Sequence, residues 1–473
     1  MFEINRIIDT DSYKASHFLQ YPPNTTRAFF YLESRGSDRD WNETVFFGLQ
    51  YLLKNYFLAP FTQAMVEEAR EVITAHGLPF NYAGWTRLVE KHGGKLPLRI
   101  RAVAEGSIVP LHNVLMTVET TDDEFAWLGS WFESQLMRIW YAITVATQSW
   151  QIKRDVYKFL RETADDADAE ILFKVHDFGS RGVSSQETAA IGGAAHLVNF
   201  LGSDTMAALL LHRKFYHAEM AGFSIPAAEH STTTSWGREN EVEAYRNILK
   251  CFAKPNALVA VVSDSWDIYN AVEKIWGEQL KQEVIDSGAT IVIRPDSGEP
   301  VEVVSKVAQI LGEKFGTTTN SKSYRVLKNV RIIQGDGVNQ TSIRAILQRL
   351  KDEGFSASNI AFGIGGSLLQ KIDRDTLKFA YKCSAIIVDG KLREVYKQPI
   401  TDSGKNSKRG RLDLILSGGN YKSIKLERAE QISAEGSAMR VVYENGEMLI
   451  DENLDEIRKR AATGFQNLTA RVN

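Results

Sequence analysis

In "NALVAVVSDSWDIYNAVEKIWGEQLKQEV" (256–284) an unbroken apolar run gives way to a Ser/Asp loop and then to an amphipathic segment without proline. The run "ALVAVV" does not alternate with polar residues, so it reads as a strand covered on both faces, the usual condition of a parallel sheet. The same order recurs in "EILFKVHDFGSRG" (170–182), "SDTMAALLL" (203–211), "FSIPAAEHS" (223–231), "ATIVIRPDSGEP" (289–300), "VRIIQGDGVN" (330–339) and "NIAFGIGGS" (359–367). Parallel strands need crossover helices, and "SSQETAAIGGAAHLV" (184–198) supplies one, with Ser184 and Glu187 at capping-box spacing. The expectation is an α/β fold with a β/α barrel over residues 166–378; an open doubly wound sheet is the alternative. Either form puts its chemistry at the carboxyl ends of the strands.

The flanks read differently. "TRAFFYLESRG" (26–36) and "LRIRAVAEGSIVPLHNVLMTVETT" (98–121) suggest strands, the second with a turn near Pro110. "FAYKCSAIIVDGKLREVYKQP" (379–399) suggests an antiparallel hairpin turning at Asp389-Gly390. Residues 125–163 read as one or two buried helices whose Trp and Tyr residues belong to the core. Residues 1–165 and 379–473 together are expected to form a mixed α/β domain, closed by a short surface helix at "LDEIRKRAATGF" (454–465).

Of the 473 residues, 56 are Lys or Arg and 59 are Asp or Glu, so no overall field invites nucleic acid or an anionic membrane, and any anion site must be local. The start, "MFEINRIIDTDSYK", lacks the apolar core of a signal peptide, and no apolar run approaches the length of a membrane span. A cytoplasmic protein is expected, with Cys251 and Cys383 as reduced, buried thiols.

The strand-end loops carry the candidate site. "FGIGGS" (362–367) and "QGDGVN" (334–339) are glycine-rich turns whose amides suit a phosphate. In "RPDSGEP" (294–300), Arg294 and Asp296 stand two residues apart and share a face in extended backbone. Carboxylates accept hydrogen bonds from ribose hydroxyls, and a guanidinium pairs with phosphate. Asp264 and Asp204 add carboxylates at two further strand ends, and Phe178 near Arg181 suits a flat heteroaromatic ring. His176 reads as a core residue. His230, in "IPAAEHSTTTSWG" (225–237), is open to four roles: metal ligand, general base, nucleophile or helix-start residue, with Glu229 a candidate to orient it. The basic stretch "SGKNSKRGRLDL" (403–414) is either a solvated loop or a phosphate-binding lid.

Long segments resemble the nicotinamide phosphoribosyltransferase family, the type II phosphoribosyltransferases of NAD salvage. They include "TDSYKASHFLQYPPNT" (10–25), "HDFGSRGVSSQETAAIGGAAHLVNFLGSDT" (176–205), "IPAAEHSTTTSWG", "VVSDSWDIYNAVEKIWGE" (261–278), "IRPDSGEP", "IIQGDGVN", "FGIGGSLLQK" and "KRGRLDL". The resemblance implies transfer of 5-phosphoribosyl from phosphoribosyl pyrophosphate to nicotinamide with Mg²⁺, a homodimer with shared active sites, and ATP as a co-substrate that phosphorylates His230. It implies that Phe178 and Tyr13, the latter from the second subunit, sandwich the pyridine ring, with Asp11 near Tyr13. Asp204 would accept the carboxamide N–H, and Arg181 would lie over the ring. Asp296 and Arg294, beside His230 the catalytic candidates, would engage the ribose, with Asp264 and Asp336 nearby. Gly335, Gly365 and Gly366 would receive the 5′-phosphate, with Arg374 and Lys382 adding charge from the second subunit; the metal ligands are not specified. Nicotinate phosphoribosyltransferase is the alternative. The chain departs from the family pattern at Ser180, where a larger tyrosine-type residue is expected, and at Ala380, where a serine is.

Overall fold

A computed structural model describes residues 4–401, 405–427 and 431–472, with side chains through 466. The chain forms two units, one of residues 148–213 and 219–371, the other of residues 1–147, 214–218 and 372–473.

The first unit holds six parallel strands: β1 (Val175–Asp177), β2 (Gly202–Ser203), β3 (Leu258–Val262), β4 (Thr290–Arg294), β5 (Val330–Gln334) and β6 (Ile360–Ile364). Their order is β2-β1-β6-β5-β4-β3, each paired in parallel with its neighbour. The two outer strands are joined through residues 223–228. Phe223 bridges to Gly202 and Ala227 to Ala260, with backbone bonds from Ser203 N–H to Phe223 O and from Ala260 N–H to Pro226 O. These bridges connect the two ends of the curled sheet, and the barrel expectation holds over the open sheet. "FSIPAAEHS" contributes these bridges rather than a full strand, because Pro226 has no N–H to donate. In "SDTMAALLL" the strand stops at Ser203 and a helix, Met206–Phe215, takes the apolar run.

Outward strand residues such as Val259, Val261, Ile291 and Ile293 are almost wholly buried under the crossover helices. Inward positions mix small side chains, Ala260 and Ala361, with the larger Val292 and Ile333. These side chains leave a cavity of about 470 Å³ in the barrel interior.

The crossover helices start where their caps dictate. Asp267 accepts from the N–H groups of Tyr269 and Asn270, and Asn339 forms a capping box with Ser342. The first helix begins one residue later than expected: Ser185, not Ser184, accepts from Thr188 N–H, leaving Glu187 outside a capping box.

The other unit is built on a seven-stranded antiparallel sheet, in the order 391–394, 379–388, 25–34, 114–120, 98–103, 439–444, 447–448. The hairpin turn falls at Asp389 and Gly390, both at positive φ as such a turn requires. Trp85, Trp127 and Trp131 meet edge to face in its core. The C-terminal helix, Leu454–Val472, is longer than the sequence pattern implies, and it buries Leu454, Ile457, Ala461 and Phe465. The thiols differ from expectation too: Cys251 is exposed, while Cys383 is half-buried and burial pushes it up to about 12. Among the described residues no helix is long and apolar enough to cross a membrane.

Candidate active site

The carboxyl end of the barrel brings together His230, Asp264, Arg294 and Asp296. Asp264 follows β3, and its side chain is 3% exposed. Its Oδ1 lies 2.9 Å from His230 Nε2, while its Oδ2 accepts from Asp296 N–H at 3.0 Å and from Ser297 Oγ–H at 2.5 Å. One carboxylate thus links the histidine, held at the start of a short helix (His230–Thr234), to the loop after β4. Glu229 does not orient the imidazole, because it pairs with Ser231 Oγ instead. Asp264 takes that part, which adjacency in sequence did not reveal.

Arg294 and Asp296 share a face as expected, with Nη2 and Oδ2 3.8 Å apart. Arg294 Nε is buried without a partner, so the guanidinium retains a donor for a ligand. Burial raises Asp296 above the usual carboxylate range; Arg294 opposes this, and the charges of Asp264 and Asp336 add to it.

Across the mouth, backbone contact fixes the other residues. Phe178 N–H donates to Ile364 O, and its half-buried ring lies against Gly363, where a Cβ would sit 1.9 Å from the ring. Only glycine leaves room there, so Gly363 serves the candidate site by clearing space for Phe178, beyond its place in the "FGIGGS" turn. At Gly335 a Cβ would be 3.0 Å from Asp296 Oδ1, and at Gly182 3.1 Å from Gly366 Cα. Hence "FGSRG" packs on the "GIGGS" turn. Gly365 and Gly366 face open space or nearly so, whereas Asp336 is exposed and its carbonyl accepts from Gln334 Nε2. Buried Gln148 donates to the carbonyls of Ser367 and Leu368 and fixes the glycine turn from the long helix.

Asp204 follows β2 and accepts from Ser224 Oγ–H at 2.6 Å; Arg181 is exposed. His176 lines the cavity with Phe178 and Asp204, its Nε2 3.1 Å from Phe173 O, and burial lowers its pKa.

Tyr13, Asp11, Arg374 and Lys382 belong to the other unit. Tyr13 and Arg374 are exposed. Asp11 accepts from Ser134 Oγ–H at 2.5 Å, and the neighbouring Lys14 is buried in an ion pair with Glu133 at 2.6 Å. Burial lowers the Lys382 pKa; Glu133 opposes this, while Arg35, Lys397 and Lys14 add to it. Only the fold brings the charges of Arg35 and Lys397 to Lys382. In the basic stretch, Ser403 and Gly404 lie outside the described residues, while Lys408, Arg409 and Arg411 pair with Glu33, Glu394 and Glu119.

The comparisons with known proteins agree with this architecture. Residues 173–447 match the nicotinate phosphoribosyltransferase (NAPRTase) family, and residues 5–100 match the nicotinamide phosphoribosyltransferase N-terminal domain. The chain is 56% identical over 460 residues to the nicotinamide phosphoribosyltransferase of Xanthomonas campestris, covering 97% of this chain and 98% of that one. It is 32% identical to that of Acinetobacter baylyi, covering 98% and 99%. A crystal structure of a nicotinate-nucleotide pyrophosphorylase from Pyrococcus furiosus shares the fold, at a TM-score of 0.64, 16% identity and 98% coverage of both chains. The chain belongs to the nicotinamide phosphoribosyltransferase family of pentosyltransferases.

Proposed function

We propose that the protein transfers 5-phosphoribosyl from phosphoribosyl pyrophosphate to nicotinamide, giving nicotinamide mononucleotide and pyrophosphate for NAD salvage. The 56% identity to a nicotinamide phosphoribosyltransferase along nearly the whole chain carries this reading. The site chemistry suits it. The pyridine nitrogen attacks the anomeric carbon as the pyrophosphate oxygen departs, through a cation-like ribosyl centre. The nitrogen has no proton to lose, so positioning and charge do the catalysis. Asp296 and Arg294 engage the ribose beside Asp264 and Asp336. The amides of Gly335, Gly365 and Gly366 hold the 5′-phosphate. Phe178 stacks the ring beneath Arg181, with Tyr13 of the partner subunit on its other face and Asp11 near that tyrosine. Arg374 and Lys382 of the partner subunit meet the phosphates.

Asp204 accepts the carboxamide N–H and repels a carboxylate, which favours the amide over the acid. Asp264 and Asp296 would hold Mg²⁺ through hard oxygen donors, alongside substrate phosphates, and the ion would supply charge neutralisation for the pyrophosphate leaving group. His230, half-exposed and held by buried Asp264, has the arrangement of an oriented nucleophile. In our reading it takes a phosphoryl group from ATP. Nicotinate phosphoribosyltransferase is the second reading, favoured by the family match over residues 173–447.

Chromatographic detection of nicotinamide mononucleotide, with Mg²⁺ and with or without ATP, tests the reaction; absence of product under both conditions contradicts it. His230→Ala is expected to abolish acid-labile phosphoenzyme, and a variant that still forms it refutes the phosphohistidine.

A further inference from the structure

The side chain of Asp177 takes no part in the mechanism above, yet it is completely buried at the carboxyl end of β1. Its Oδ1 accepts from Gly179 N–H at 2.7 Å, and its main-chain carbonyl accepts from Asp204 N–H at 2.9 Å. Its Oδ2 has no hydrogen-bond partner, and neither has Thr205 Oγ1, itself buried. The Thr205 and Ser203 hydroxyls both stand close enough to favour the carboxylate, though neither meets Oδ2 in full hydrogen-bonding geometry. Both side chains border one small space over Gly193, where a Cβ would lie 2.9 Å from Asp177 Oδ2 and 3.1 Å from Thr205 Cγ2.

Burying a carboxyl with one oxygen unsatisfied is expensive, and an apolar residue would fill this space without that penalty. The groups Asp177 touches tell what the carboxyl does. Gly179 directly follows Phe178, and Thr205 directly follows Asp204. We propose that Asp177 is a positioning residue that sets the distance between the Phe178 ring and the Asp204 carboxylate, acting through the bond of its carboxyl to Gly179 N–H on one side and the bond of its main-chain carbonyl to Asp204 N–H on the other. This rests on reading Phe178 and Asp204 as the nicotinamide site.

The test compares Asp177→Ala, which loses the acceptor for Gly179 N–H, with the isosteric Asp177→Asn, which keeps it. KM for nicotinamide, KM for phosphoribosyl pyrophosphate, kcat and melting temperature are measured for the full-length protein. The alanine variant is expected to raise KM for nicotinamide about tenfold, in line with loss of a buried hydrogen bond to a charged group, with KM for phosphoribosyl pyrophosphate changed less than about twofold. The asparagine variant is expected to stay within about twofold of the wild type in both. An equal rise in both KM values, or an unchanged KM for nicotinamide in the alanine variant, overturns the proposal. If the alanine variant does not fold, the asparagine variant decides: a nicotinamide KM near the wild-type value supports the acceptor role, and a tenfold rise overturns it. Failure of the wild type to use nicotinamide contradicts the site reading itself, a result distinct from any of these.

Discussion

The two sides of the barrel mouth are built by opposite means. On the side of β3 and β4, one buried carboxylate, Asp264, holds His230, the Asp296 amide and Ser297 together through three hydrogen bonds. On the side of β1 and β6, Phe178 is placed by the absence of atoms: Gly363 leaves its ring a space that a single methyl group would occupy. The first side is damaged by removing atoms and the second by adding them.

Asp264→Ala breaks the first side most severely. It leaves His230, the Asp296 amide and Ser297 without their shared acceptor, and kcat/KM for phosphoribosyl pyrophosphate is expected to fall by about a hundredfold or more, near 3 kcal/mol. Steady-state kinetics at saturating nicotinamide check it; a loss under tenfold would mean the three links are independent of the carboxylate.

Gly363→Ala tests the second side with one added carbon. Overpacking of this kind destabilises by about 1–3 kcal/mol, and since the ring must move, KM for nicotinamide is expected to rise about tenfold. Calorimetry and kinetics together read both effects. An alanine variant with the wild-type KM would show that Phe178 does not depend on this clearance.

Asp177 gives the second side a dependence on pH. Burial pushes its pKa from 3.8 up to about 6. The folded protein therefore holds a proton that the unfolded chain releases between these values, and stability falls as pH rises from about 4 to about 6. Asp177→Asn removes this slope, and at pH 8 it is expected to raise stability by about 3 kcal/mol relative to the wild type, with the advantage fading below pH 4. Denaturant titrations at pH 4 and pH 8 measure it; an equal difference at both would contradict the shift.

Ser297→Ala has the smallest expected effect. It removes one of three bonds to Asp264 and leaves the other two, so a loss of about 1 kcal/mol, or roughly fivefold in kcat/KM, is expected. Comparing the Ser297→Ala and His230→Ala single and double variants shows whether the two groups act through the same carboxylate.

The apolar runs announced the barrel because strands buried on both faces need no alternation, and "ALVAVV" and "TIVI" occupy the register this implies. Arg294 and Asp296 were legible as a pair, since residues two apart in extended backbone share a face. What escaped was whatever depends on long-range approach. Glu229 adjoins His230 in sequence, yet Asp264, more than thirty residues on, holds the imidazole. Gly363 looked like part of a phosphate turn, and only the approach of Phe178 shows what its missing side chain permits. "FSIPAAEHS" was legible as a unit of the barrel, but Pro226 reduces it to two single bridges where a full strand was expected. Arg35 and Lys397 join Lys382 only through folding of the antiparallel unit.

The ratio of kcat/KM for nicotinamide to that for nicotinate, measured with Mg²⁺ and phosphoribosyl pyrophosphate in wild type and Asp204→Asn, decides whether the Asp204 charge selects the amide. The wild type is expected to prefer nicotinamide strongly, and the preference to shrink by about tenfold or more in the variant, once the Asp204 carboxylate is gone. A wild-type preference for nicotinate, or full nicotinamide selectivity retained without the Asp204 charge, would contradict it.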